Sequence, residues 1–267
     1  MAIDTLDKLI AALGDSYKCR FYKTSVSNRT SGEMASLWKL AGFPTVGVTP
    51  TTSAYCDSSM MGAWALPNPG TLQQYIAKMT ASASSIGQLI LMDRLAHMGG
   101  LSGTLTTAQT VNLDIATAAD QGRCGADGKG VLWCLEWYTD TGATAVTATI
   151  TYTNEDNVTG RTTTVALAAT RRASLLLPIL PNSSDLRIKS IQSVQLSATT
   201  GTAGNFGVTA MARQVEVPLP IVGVGTVLDF AQTGMEKISK EACLFLALVC
   251  GSTSTGNILG SFEVVQG

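Results

Sequence analysis

Histidine is nearly absent from this sequence: His97 is the single one among 267 residues. Ser-His-Asp and Cys-His nucleophilic arrangements need an imidazole, so any such triad would have to use His97, and no G-x-S-x-G elbow accompanies it. A lone histidine at the end of an apolar run reads as structural or solvated. The chain has no HExxH and no CxxC, and its closest cysteine spacings, Cys124 to Cys134 and Cys243 to Cys250, do not match zinc-ligand spacing. No metal is expected. Charge is scarce as well, at 14% of residues with a net charge of -1, against about 25% in an average soluble domain. The cationic footprint that neutralises phosphates is therefore missing, and no nucleic-acid partner is expected. Apolar runs are short: the longest, Ala242 to Cys250, is about half the roughly 20 residues a spanning helix needs, so no membrane span is expected. The opening MAIDTLDKLIAAL has no basic stretch followed by an apolar run and a small-residue cleavage site, which speaks for a chain made and folded in a cytoplasm.

What remains is apolar and small. Hydrophobic residues make up 45% of the chain, with 34 threonines, 22 serines and 26 glycines, and the mean hydropathy is +0.23. That composition excludes disorder. Threonine suits pleated, half-buried surfaces, and a charge-poor exterior tends to associate unless a partner covers it. Self-assembly is expected. The six cysteines read as reduced, since a cytoplasmic chain of this size does not need staples.

Leu6, Leu9, Ile10 and Leu13 fall on one face of a helix spanning residues 4–14, with Asp4 or Thr5 as N-cap and Gly14 as the stop. The stripe either packs on its own domain or docks on a neighbouring subunit, with Leu6, Ile10 and Leu13 as the contacts. From Asp15 to Pro69 periodicity lapses, leaving apolar islands at Leu37, Trp38, Phe43 and Trp64 among Ser, Thr, Gly and Pro. A loop this long is abnormal inside a compact domain. It is expected to be an extended arm, residues 1–70 with the helix, which lays those islands into pockets of another subunit. Residues 35–40 could add a helical turn, and residues 71–82 fit either a helix or a first strand.

Residues 71–267 read as a β domain. Strands are expected at 87–95, 130–138, 144–153, 161–167, 173–177, 188–197, 205–217, 242–250 and 258–265. The clearest is 144–153, where Val146, Ala148, Ile150 and Tyr152 alternate with threonines. Asn154 to Asn157 then reads as a hairpin turn. Many short strands without βαβ spacing indicate an antiparallel β-sandwich or jelly-roll-like domain. The turn 222–226 lacks the Lys of a P-loop and the third glycine of a dinucleotide fingerprint, so no cofactor is expected. Asp114, Asp120, Asp127, Glu136 and Asp140 could pair for glycoside chemistry. Trp133 and Trp137, which might line a sugar groove, share a strand face with Leu135 and read as core.

The segments LILMDRLAHMGGLSG (89–103), LEWYTDTGATAVTATITYTNEDNVTGRTTTVAL (135–167) and LPILPNSSDLRIKSIQSVQLSATTGTAGNFGVT (177–209) are similar to tailed-bacteriophage virion structural proteins. They cover somewhat under half of the chain, and none is a motif with transferable residues. Within that class the plan of helix, arm and β domain resembles a capsid decoration or cement protein. The resemblance implies a non-enzymatic component of the virion, assembled in the host cytoplasm. Its partners would be itself, as a trimer, and the major capsid protein or other virion proteins. An oxidising exterior would then allow intersubunit bridges through Cys19 and Cys56, the cysteines of the arm. The alternatives are a tail, neck or fibre-associated component and a carbohydrate-binding β-sandwich module.

Overall fold

Side-chain alternation, rather than helical periodicity, organises most of this chain. The computed structural model describes residues 3–201 and 203–267. Helix α1 (Leu6–Gly14) comes first, capped by Thr5, whose hydroxyl accepts the Lys8 N–H at 3.3 Å. Then follow β1 (Tyr17–Lys23), β2 (Met34–Ser36), β3 (Gly42–Phe43), β4 (Ala54–Tyr55), β5 (Gln74–Ala83), β6 (Gly87–Leu101) and β7 (Gln109–Asp114). A short helix α2 (Ala116–Asp120) precedes β8 (Val131–Trp137), β9 (Val146–Asn154), β10 (Arg161–Leu167), β11 (Leu175–Ile179), β12 (Ile188–Leu196), β13 (Phe206–Leu219) and β14 (Thr226–Leu228). The chain continues through α3 (Phe230–Thr233), β15 (Glu236–Ile238), β16 (Leu244–Cys250) and β17 (Ile258–Gln266). The pairings between these strands are antiparallel.

Three layers result. In the middle, β13-β8-β11-β2-β16-β6 run side by side and β6 pairs back onto β13, closing a six-stranded barrel. A four-stranded sheet, β10-β9-β12-β7, covers one side, and a second sheet, β14-β5-β17-β1-β3 with β15 beside β5, covers the other. The expected antiparallel β fold opened by a short helix is present; its middle layer closes on itself.

The barrel strands explain the continuous apolar runs of the sequence. Along β16, Leu244, Leu246 and Leu248 point outward into the core shared with the β5-β17-β1 sheet, while Phe245 and Ala247 point into the lumen. Along β6, Leu89 and Leu91 face out and Ile90 and Met92 face in. A strand buried on both faces has no polar parity. The four-stranded sheet is one-sided: Val146, Ala148, Ile150 and Tyr152 are buried against Trp133, Leu135 and Trp137, and the intervening threonines up to Thr151 are exposed or half-buried. Trp133 and Trp137 are core residues, as their shared strand face implies.

The extended arm is not what residues 15–69 form. β1 pairs with β17 over seven residues, β2 lies in the barrel wall between β11 and β16, and β4 pairs with β6, so residue 70 divides nothing. Residues 34–36 are strand rather than helical turn, and residues 74–83 are the strand β5. The apolar islands that suggested pockets in a partner fill pockets in the chain itself. Leu37, Trp38 and Trp64 are buried. The Trp38 indole reaches the lumen and donates to the Val48 carbonyl at 2.7 Å. Trp64 lies edge-on to Phe21 and Phe262 and donates to the Arg20 carbonyl at 3.0 Å. Bonds from Gly47 N–H to Trp38 O (2.8 Å) and from Cys56 N–H to Leu95 O (3.1 Å) tie the long loop down. Such bonds satisfy the backbone of a segment that lacks regular structure of its own.

Candidate interaction surface

The densest polar chemistry of the molecule lies where no partner can touch it. Arg94 on β6, Glu136 on β8 and Thr209 on β13 meet inside the barrel, and with His97 they are fully buried. Arg94 donates from Nη1 to Glu136 Oε2 at 2.7 Å and from Nη2 to Oε1 at 3.1 Å, the forked geometry suited to a carboxylate. Its guanidinium carbon sits 4.6 Å from the Trp38 ring centroid and 4.5 Å from that of Phe245, within cation-π range of both. Arg94 also donates to His97 Nδ1 at 2.9 Å. An arginine only donates, so Nδ1 is unprotonated and Nε2 carries the hydrogen given to the Tyr138 hydroxyl at 2.8 Å. Burial, reinforced by Arg94, holds the imidazole down at about 3. Burial opposes ionisation of Glu136, but the Arg94 charge overrides it and holds the carboxyl at about 2. The centre is thus an ion pair beside a neutral imidazole, closed off from solvent.

A second buried pair closes a gap. β16 and β4 pair with the same edge of β6, ending opposite Asp93 and Ala96 respectively. Arg123 fills the break. It donates to Asp93 Oδ2 at 2.8 Å and Oδ1 at 2.5 Å, to the Arg94 carbonyl at 2.9 Å and to the Cys56 carbonyl at 2.7 Å. Asp93 Oδ1 also accepts the Cys243 N–H at 2.8 Å. One side chain therefore replaces the missing ladder bonds. Sequence reading missed both pairs, although Asp93-Arg94 inside the apolar run LILMDRLAHM is the signal that could have found them.

The five carboxylates singled out for glycoside chemistry do not meet as one group: Asp114 and Asp120 line one surface cavity together with Lys189, and the other three lie elsewhere. Glu136 is inside the barrel with Arg94 and Thr209, Asp127 pairs with Arg187 at 2.6 Å and Asp140 pairs with Arg172 on the surface.

The sequence-derived contact residues divide by exposure. Leu6, Ile10 and Phe43 are 64%, 59% and 57% exposed, and Leu13 is half-buried. Leu37, Trp38 and Trp64 are enclosed by their own chain and unavailable to a neighbour. Cys19 and Cys56 are enclosed too. Cys19 faces the core beneath the β1 sheet and Cys56 belongs to the lumen cluster, so neither is presented for an intersubunit bridge. Burial pushes the Cys19 thiol up to about 12.

Beside Phe43 stand two residues that periodicity did not flag. Tyr22 is directly opposite Phe43 across the β1-β3 ladder and opposite Leu259 across the β1-β17 ladder. Residues opposite each other on antiparallel strands point to the same face, and all three are exposed. They form an apolar row on the side of the sheet away from the barrel. A second apolar surface lies on the four-stranded sheet side, where Val158, Leu180 and Leu186 are exposed around the tip held by Asp185. Asp185 accepts from Tyr152 at 2.5 Å, from Asn154 at 3.0 Å and from Arg161 at 2.9 Å.

Among the described residues no helix is long and apolar enough to cross a membrane. No family model matches the chain, and no curated protein does either. Among solved structures, the VP2 subviral particle of infectious bursal disease virus aligns over 94% of this chain and 80% of its own, at 9% identity and a TM-score of 0.20. T=1 particles derived from infectious bursal virus align over 94% and 77%, at 9% identity and a TM-score of 0.18. The Gx strain of infectious bursal disease virus aligns over 94% and 67%, at 11% identity and a TM-score of 0.19.

Proposed function

We propose that this protein is a non-enzymatic structural component of a tailed-phage virion, and within that class a capsid decoration protein that binds the shell and ties neighbouring subunits together. One observation carries the reading: uncovered apolar surface lies on opposite sides of the barrel. The Phe43-Tyr22-Leu259 row and the α1 side chains Leu6 and Ile10 are on one side, and Val158, Leu180 and Leu186 are on the other. Exposed apolar patches of this kind mark contact sites, and a subunit placed between neighbours needs them on more than one face. The resemblance of residues 89–103, 135–167 and 177–209 to phage virion proteins supports the same reading. Because the arm is folded into the body, contacts with neighbours in the particle, whether further copies of this chain or shell subunits, would be made by these surfaces. Sedimentation of purified chain with purified particles of the phage that encodes it tests the proposal. Saturable co-sedimentation, with the chain found by mass spectrometry in intact particles, is expected. A chain absent from the particles that stays in the supernatant would overturn it.

A further inference from the structure

The outer sheet carries two uncovered apolar elements on one face, one raised and one flat, at opposite ends. The flat one is the Phe43-Tyr22-Leu259 row. The raised one is α1, which packs on β17 at its far end. There Leu9 is buried, and so is Val265, although Val265 is not part of the core between sheet and barrel. The Ser16 hydroxyl donates to Glu263 at 2.9 Å and fixes the helix exit over the same face. Leu259 and Val265 are six residues apart on β17, so the two elements are separated by about 20 Å along the strand. A helix stands about 10 Å thick. The face therefore has a step, high where α1 lies and low over the row.

We infer that this stepped face binds a second copy of the same chain, face to face about a two-fold axis running across the strands. That rotation turns each sheet over and reverses its strands, which seats α1 of each copy on the bare row of the other. Leu6 and Ile10 meet Phe43, Tyr22 and Leu259 twice in one interface, the self-complementarity a closed two-fold contact demands. Charge follows the same plan. Asp4, Asp7 and Asp15 flank the helix with only Lys8 to offset them, and the sheet floor between the elements carries Lys18, Arg20 and Lys78 against Glu263. Each seated helix then borders the partner's basic floor on both sides of the axis, and the opposite charges steer the docking. The inference stands whether or not the chain belongs to a virion.

Gel filtration with light scattering on the full chain, over a dilution series, gives the test. The wild-type chain is expected at twice its 27.8 kDa mass. Ile10→Lys and Leu259→Lys, both at exposed positions, should each raise the concentration of half-dissociation by about tenfold or more, a loss of some 1.4 kcal/mol, with the far-UV spectrum unchanged. A second arm uses Ile10→Cys with Leu259→Cys, which should give a covalent dimer on mild oxidation with a dithiol-disulfide couple, while a Val158→Cys control stays monomeric. A wild-type monomer at the highest soluble concentration, or an oligomer that both lysine substitutions and the cysteine pair leave untouched, overturns the inference.

Discussion

Arg94 and Glu136 form a two-pronged ion pair, at 2.7 and 3.1 Å, inside a closed barrel with neither side chain in contact with solvent. The pair joins β6 to β8, which are not neighbours in the barrel wall, because β13 lies between them. It braces the lumen where ladder bonds cannot reach.

Removing one partner should therefore cost far more than removing both. Glu136→Leu leaves an unpaired guanidinium in the lumen and is expected to lower unfolding stability by about 3–5 kcal/mol. Arg94→Met combined with Glu136→Leu should recover most of that loss, since paired apolar replacements of similar volume are often near neutral. Urea unfolding of the two variants and the parent decides it: a double variant as weak as the single one contradicts the bracing role.

Acid should weaken the fold in two overlapping windows. His97 sits at about 3 when folded against an ordinary value of 6.5, and Glu136 at about 2 against 4.5. Both groups bind fewer protons folded than unfolded within those windows, so stability rises with pH there and falls as pH drops from 6.5 toward 2. The melting temperature of His97→Gln, whatever its absolute value, should be flatter than that of the parent between pH 6.5 and 4.5. Parallel curves for the two proteins would exclude His97 as the source.

Gly47 is where the loop over the barrel meets the Trp38 indole. A Cβ at Gly47 would lie 1.9 Å from Trp38 Cε2, and the indole is buried under the loop and cannot swing away. Gly47→Ala should destabilise by about 1–3 kcal/mol, the usual cost of overpacking a core, and should alter the near-ultraviolet signal of the tryptophans. An unchanged melting curve would mean that the loop lifts freely.

Thiol chemistry should single out Cys124. It is half-buried, whereas Cys19, Cys56, Cys134, Cys243 and Cys250 are buried. Brief alkylation of the native chain, read by peptide mass spectrometry, should modify Cys124 first and the other five only after denaturant is added. Burial pushes the Cys124 thiol up to about 11, so the reaction should speed up as pH rises. Early labelling of Cys19 would contradict the burial of β1.

The strands that sequence reading found are those with a clear parity or an unbroken apolar run: β6, β8 to β13, β16 and β17. Most of those it missed have neither; β7 does alternate, with Val111 and Leu113 buried between exposed neighbours, but over only six residues. β1 reads Tyr-Lys-Cys-Arg-Phe-Tyr-Lys, and its inward set ends on Lys23, whose amine donates to the Leu40 and Pro44 carbonyls at 3.2 and 2.7 Å. An inward lysine erases the pattern. β2, β3 and β4 are two or three residues long, too short for any period to register. The loop tryptophans were legible as anchors but not as anchors into their own chain, because the pockets that hold them are built by β16 and β17, some two hundred residues later. Barrel closure was likewise invisible: β6 pairs on two edges, and a sequence does not say how many partners a strand takes.

The alliance of β1 with β17 also sets a timetable. Ser16 and Glu263, which meet at the end of that ladder, are 247 residues apart in the chain. At ribosomal speeds of 5–20 residues per second, β1 leaves the exit tunnel on the order of tens of seconds before its partner exists. During that interval Cys19 and Phe21, destined for the interior, have nothing to pack on, and distant pairings of this kind are slow to close even after release. A factor that shelters the nascent amino-terminal segment, or a fast neighbour that borrows it, would therefore act on yield rather than on the stability of the finished molecule.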